Sequence, residues 1–298
     1  MTLSPSPRTA VRLAPRWQRF FRDPSVIFAL IVIACLLIAV VAAPWLAFKD
    51  PNASFPEGLS DAGAPVAPSA AFALGTDLLG RDLLSRVIWG AQVSLFIGLV
   101  ANGAAVLIGV LVGLLAGFYG GWLGALLMRF TDLMTAFPVL LLAIALTAIL
   151  KPSLWIVALV IALLNWVGLA RVVNSQVLTL KTREYVTAAH SLGASSGRVL
   201  LRHVLPGLVP TMIVWGTLGI STSVMLEATL SFLGVGVQPP TASWGGIINE
   251  SQTYFTLAPW LVVFPGLAIL LTALAFNLLG EGLREALDPS SRSSRVGL

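Results

Sequence analysis

The stretch VIWGAQVSLFIGLVANGAAVLIGVLVGLLAGFYGGWLGALLM, Val87 to Met128, contains no charged side chain. At ~1.5 Å per helical residue, about twenty residues cross a ~30 Å hydrocarbon layer. One span, about Ala91–Phe118, fits inside the stretch, and Tyr119, Gly120, Gly121 and Trp122 read as a tight interfacial turn after it. Gly109, Gly113 and Gly117 recur at four-residue spacing, a small face that lets another helix come close.

Further spans follow on both sides. Towards the carboxyl end they are about Ala125–Leu150, stopping at Lys151-Pro152; Leu154–Ala170, stopping at Arg171; Gly207–Leu230; and Phe255–Leu279, before Glu281. Towards the amino end no charge occurs between Asp23 and Lys49, and Val26–Ala47 is nearly all apolar. That run is too long and too far from the start for a cleaved signal peptide, and no convincing small-residue cleavage site follows it, so it reads as a retained first helix. The expectation is an all-α integral membrane protein with six transmembrane helices. The predicted parts are an amino-terminal tail (1–24), a first helix (25–48), an outer loop (49–89), a five-helix core (90–280) holding a cytoplasmic segment (171–206), and a carboxyl tail (281–298).

Composition agrees. Hydrophobic residues make up 57% of the 298 residues and charged ones 10%, with a mean hydropathy of +0.91. Soluble domains carry about 25% charged residues, so an ordinary soluble domain, a disordered chain and a disulfide scaffold are excluded. The net charge of +5 and pI of about 10.0 would suggest nucleic acid in a soluble chain. Here the cations lie between apolar runs, and sorting across a membrane explains them more simply. The lone Cys35 lies in the first run and has no partner for an internal disulfide.

Cation placement tests the count. Fourteen of the 18 Lys and Arg fall on one side: Arg8, Arg12, Arg16, Arg19 and Arg22; Arg129; Arg171, Lys181, Arg183, Arg198 and Arg202; Arg284, Arg292 and Arg295. The other side has Lys49, Arg81, Arg86 and Lys151, with Asp50, Glu57, Asp61, Asp77 and Asp82. This asymmetry places both termini in the cytoplasm.

The cytoplasmic segment TREYVTAAHSLGASSGRVLLRHVLPGLVP, Thr182 to Pro210, carries too many charges to span. Val186, Ala189 and Leu192 recur at helical spacing, Gly193 interrupts, and Val199, Leu200 and Val204 form a second apolar patch. The expected shape is two short helices bent at a glycine under the bilayer. Such an element either rests on anionic lipid or passes motion from a cytoplasmic partner into the membrane.

The segment resembles the coupling loop of binding-protein-dependent ABC import permeases, whose pattern is Glu-Ala-Ala, three residues, Gly, then Leu-Pro. The matching residues are Thr187, Ala188, Ala189, Gly193 and Leu205-Pro206; Thr187 departs from the glutamate, and Glu184 lies one turn earlier. The resemblance to the dipeptide/oligopeptide branch covers nearly the whole chain. It includes Gly75-Thr76-Asp77, Gly80-Arg81-Asp82, Ser85-Arg86 and Gly90; Arg129, Asp132 and Ala136-Phe137-Pro138; Glu227-Ala228, Leu230 to Gly234, Gln238-Pro239-Pro240 and Trp244-Gly245; and Asn277, Gly280, Gly282 to Arg284 and Asp288-Pro289. The nearest match is the C-type permease of a heteromeric pair.

This resemblance implies a type I ABC importer permease core in the bacterial inner membrane. It implies a homologous permease partner, two cytoplasmic ATPases that bind ATP and Mg, and an extracytoplasmic solute-binding protein. The chain itself would hold no cofactor and catalyse no reaction. Glu184, Thr187, Ala188, Ala189 and Gly193 are then the ATPase-coupling candidates, and dipeptides or oligopeptides the expected cargo. The alternative is an ATP-independent secondary carrier or channel, which would need a polar pathway in its own helices.

Other residues admit two readings. Asp77, Arg81, Asp82 and Arg86 either cap and pair at the entrance to the second helix, with Asp82 and Arg86 at i,i+4, or dock the binding protein. Arg129 and Asp132 share a helix face, so each is the other's expected partner; with Pro138, which should kink the helix, they are candidates for a gate or subunit contact. Glu227 is the costliest residue in any span and should face protein, a cavity or the outer interface, as a hydrogen-bond anchor or cavity-lining residue; it is a further gate candidate, with a proton relay as the sharper alternative. His190 and His203 have no metal-site spacing around them, and no phosphate-binding glycine loop occurs.

Overall fold

The computed structural model describes residues 16–287. The tail residues before Arg16, and Asp288-Pro289, Arg292 and Arg295, lie outside the described residues. Among those described, the regular elements are helical, with two isolated bridges, Leu59 with Pro65 and Thr76 with Asp82.

Helix α1 (Arg16–Phe20) leads into α2 (Pro24–Val41), whose first turn is capped by the Asp23 carboxylate accepting from the Ser25 N–H at 2.8 Å. Pro24 fits that first turn because its missing N–H has no helical partner there anyway. The expected run to Ala47 is broken at Ala42, and α3 (Ala43–Leu46) starts afresh with Pro44 in its first turn. A proline cannot continue the preceding hydrogen-bond ladder.

After the outer segment comes α4 (Leu83–Tyr119), then the Gly120 turn with φ of 63°, which only glycine adopts readily. Next are α5 (Gly121–Ala136), α6 (Val139–Leu150) and α7 (Leu154–Leu180). The expected third span, Ala125–Leu150, is this α5–α6 pair. It is bent by 89°, a full break rather than a kink. Pro138 supplies no N–H and pushes Phe137 into extended backbone (φ −92°, ψ 135°). Short α8 (Glu184–Ser191) and α9 (Ser196–Val199) then run through one π-turn, Leu200–Val204, into α10 (Leu205–Phe232). Helix α11 (Trp244–Glu250) precedes α12 (Trp260–Leu287).

Five helical stretches are long and apolar enough to cross a membrane: α2, α4, α7, Ser196–Phe232 and α12. The count rises to six when the bent pair is taken as one span. Arg171 and Glu281, read as span ends, lie inside helices that continue to Leu180 and Leu287. A charge ends an apolar run but does not end the backbone hydrogen-bond ladder. Glu281, Arg284 and Glu285 are thus part of α12 rather than of a tail.

The glycine row does pack closely. Added Cβ atoms would lie 2.8 Å from the Trp166 carbonyl oxygen at Gly109 and 2.8 Å from the Val177 Cβ at Gly117, so α4 and α7 approach backbone to backbone. Val110, Leu114, Leu169, Val173 and Val177 fill the core along this seam. Polar ties cross the bundle: Asn102 donates to the Gly216 carbonyl, and Asn165 to the Ser223 hydroxyl at 3.2 Å.

The outer segment is irregular yet fixed. The Thr76 hydroxyl donates to the Gly58 carbonyl at 2.6 Å and accepts from the Val66 N–H at 2.8 Å. The Lys49 ammonium lies 3.5 Å from the centre of the buried Phe72 ring. The Trp260 indole N–H reaches back to the Thr76 carbonyl at 3.4 Å.

Candidate functional site

At the inner end, α8 stops at Leu192 and the chain turns at Gly193, with φ of +82°. The Gly193 N–H donates to the His190 carbonyl at 2.9 Å, and the Ala194 N–H to the Ala189 carbonyl at 3.1 Å. This paired closure is what a glycine after a helix permits. The bend therefore has a defined geometry, as its glycine predicts.

The bent pair is seated on the bundle. Val186, Val199, Leu200 and Val204 are buried in one cluster with Val173 and Val177 of α7 and Leu208 of α10. The His190 ring stacks on Phe118 at the foot of α4, centroids 6.4 Å apart. Glu184, Thr187, Ala188 and Gly193 are exposed, and Ala189 is half-buried. The expected stripe Val186, Ala189, Leu192 is divided: Leu192 caps the helix and is 88% exposed at the corner. The Thr187 hydroxyl donates to the Arg183 carbonyl at 3.3 Å, and so is turned onto its own helix.

At the outer end Asp77, Arg81, Asp82 and Arg86 are all buried. Asp77 accepts from the N–H groups of Leu79 and Arg81 at 2.9 Å and pairs with both arginine side chains. The second carboxylate of this network is Glu250 at the end of α11, which meets Arg81 and, at 3.1 Å, Arg86. Two cations and two anions thus pin the outer segment, α4 and α11 together. The expected Asp82–Arg86 pair does not form. Asp82 instead caps α4, accepting from the Ser85 N–H at 2.8 Å and its hydroxyl at 2.7 Å. A carboxylate at that position is favoured by four unpaired N–H groups and the positive end of the helix. Sequence reasoning missed Glu250, which is 164 and 169 residues from its partners. The local sequence carried no signal for it, because Asp77 and Asp82 balance Arg81 and Arg86 until Asp82 is seen to cap α4.

Glu227 is fully buried in α10. One oxygen accepts from the Ser231 hydroxyl at 2.8 Å, and the Ser94 and Ser243 side chains stand beside it, while Oε2 has no partner in the structure. Its hydrogen bond to Ser231 stays within α10, and among the described residues no ionisable side chain is bonded or paired to it to form a relay. Arg129 and Asp132 do not pair. Asp132 binds Arg171 of α7 at 2.9 Å, and the same guanidinium nitrogen donates to the Thr135 hydroxyl at 2.9 Å. Among the described residues no group of three or more His, Cys, Asp or Glu is placed to hold a metal.

This architecture, with a seated, bent inner element between two long helices, can be set beside known proteins. Residues 109–293 match the family described as binding-protein-dependent transport system inner membrane component. The chain belongs to this family. The permease also matches, over residues 12–65, the N-terminal transmembrane domain of oligopeptide transport permease C. Among curated proteins it is 44% identical over 273 residues to the glutathione transport system permease protein GsiD of Escherichia coli O6:K15:H31 (strain 536 / UPEC), covering 92% of this chain and 89% of that protein. The GsiD proteins of Shigella boydii serotype 4 (strain Sb227) and Shigella sonnei (strain Ss046) match to the same extent. The permease is accordingly a multi-pass inner-membrane subunit of an ABC importer, C-subunit-like, and a transport component rather than an enzyme. The carrier or channel alternative finds no support in this family.

Proposed function

We propose that the permease pairs with a homologous permease, takes its energy from two cytoplasmic ATPases through the α8–α9 corner, and passes small peptide-like solutes delivered by an extracytoplasmic binding protein. ATP and Mg belong to the ATPases. The relatives are named for glutathione transport, and a tripeptide of that kind lies within the cargo class proposed. Glu184, Thr187, Ala188, Ala189 and Gly193 form the coupling surface.

The observation that carries this reading is the corner itself. Leu192 stands out at 88% exposure on a turn fixed by Gly193, while the other side of the element is packed against α7 and α10. A push on the corner therefore reaches two long helices without passing through a loose loop. At the outer end the buried charge network fixes the shape of the segment a binding protein would meet; direct docking falls to that segment's exposed surface.

The test is ATP-driven uptake by the complete assembly carrying Gly193→Val. A β-branched residue is strongly disfavoured at this φ, so the corner changes shape although no neighbouring atom is struck. Uptake should be lost while the four-component assembly still purifies from membranes. Normal uptake by Gly193→Val would refute the coupling assignment.

A further inference from the structure

The Arg171–Asp132 pair lies on the side of the bundle at membrane depth. Exposed Tyr119 and Trp122 mark one membrane interface and exposed Trp155 the other, as aromatic residues commonly do. Helices α4 and α7 run side by side, with Gly117 beside Val177 and Phe96 against Trp155. Arg171 thus lies about 12 Å inside the inner interface along α7, at ~1.5 Å per residue. Yet the side chains of Arg171 and Asp132 are 45% and 56% exposed.

Their neighbours on the same faces are polar too. On α5 the exposed residues Arg129, Asp132 and Thr135 recur every three residues; on α7 Arg171, Ser175 and Thr179 recur every four. Elsewhere α7 shows lipid-compatible residues such as Leu159 and Leu163. Charged side chains at this depth face protein or water rather than acyl chains. The α5–α6 break adds an independent argument. Backbone that leaves the helix at membrane depth is tolerated where it is buried in protein or lines a water-filled cavity, and Phe137 and Pro138 at the break are exposed. An interface with the partner permease would place two cations and one anion in a buried core, where charge is normally depleted.

We infer that the α5–α7 face lines a water-filled vestibule open to the cytoplasm, and that its surplus cation favours solutes bearing a carboxylate. Asp132 and Thr135 hold Arg171 in place, whereas Arg129 has no ion-pair partner among the described residues. The inference extends the importer reading by locating a stretch of the path and its charge preference.

The test uses the full assembly in inverted membrane vesicles without nucleotide, in a Cys35→Ser background that removes the native thiol. Thr135→Cys, Ser175→Cys and the control Leu163→Cys are each reacted with membrane-impermeant methanethiosulfonates, one anionic and one cationic. Thr135→Cys and Ser175→Cys should react at least tenfold faster than Leu163→Cys. Rates no faster than the control would overturn the vestibule, since the face would then be covered by lipid or by the partner. At Thr135→Cys the anionic reagent should be favoured, and adding Arg129→Gln should lower the anionic-to-cationic rate ratio several-fold; an unchanged ratio would overturn the carboxylate preference. ATP-driven uptake by the Cys35→Ser assembly tests the importer reading separately, because labelling depends only on access to water.

Discussion

Arg86 is the largest charged side chain wholly enclosed in the outer network, at 1% exposure, and its charge is met by Asp77 and Glu250. Removing Glu250 leaves two buried guanidinium groups sharing the single Asp77 carboxylate. Glu250→Ala should therefore destabilise the detergent-purified permease by about 3 kcal/mol, the scale for breaking a buried pair, read as a lowered unfolding midpoint. The cap is a smaller matter: Asp82→Ala should cost about 1 kcal/mol by the same measurement. At this scale the sequence was legible only where partners are close in the chain. Asp77 capping a turn follows from local spacing, whereas Asp82, expected to pair with Arg86, instead starts the helix. Glu250 and Arg171 were hidden because spacing along one helix says nothing about a side chain brought in from another. Neither local ion pair expected at i,i+3 and i,i+4 formed: Asp132 met Arg171 and Arg86 met Glu250, while Asp82 turned to the start of its own helix.

Helices show the same division. The apolar runs located every span, and the glycine row on α4 foretold the close α4–α7 seam. Gly113→Ile should force these helices apart, because even a Cβ there would overlap the Ala170 carbonyl and the Val173 side chain. The expected result is loss of protease-resistant permease from the membrane, with Gly103→Ile, where no atom lies within 4 Å, largely tolerated. Helix ends were less legible. Arg171 and Glu281 end apolar runs, yet α7 and α12 run on, because the backbone ladder persists after the side chains become polar. Pro138 announced a bend, but its size depends on what α5 and α6 pack against. Gly193 was the most informative single residue: the φ of +82° and the two carbonyls closing the α8 turn are what its place in the pattern requires.

Across the whole molecule, motion at the corner and the outer shape are joined by few, long parts. Helix α10 begins at the coupling element, ends beside Glu227 and Ser231, and thence meets α11 and the outer charge network. A two-state rearrangement of the bundle needs both ends to bias it, ATP at one and loaded binding protein at the other. Behind this, the charge asymmetry supplies the expected orientation of the spans, and the spans themselves were legible as apolar runs. The packing that joins the ends was not, since it resides in contacts between helices far apart in sequence. The most direct measurement places a single thiol at the corner, Leu192→Cys in the Cys35→Ser background, and reacts it with a membrane-impermeant maleimide. Labelling is expected in inverted vesicles stripped of ATPases, suppressed when the ATPases are restored, and absent in right-side-out vesicles; labelling from the outer face, or labelling indifferent to the ATPases, would contradict the account.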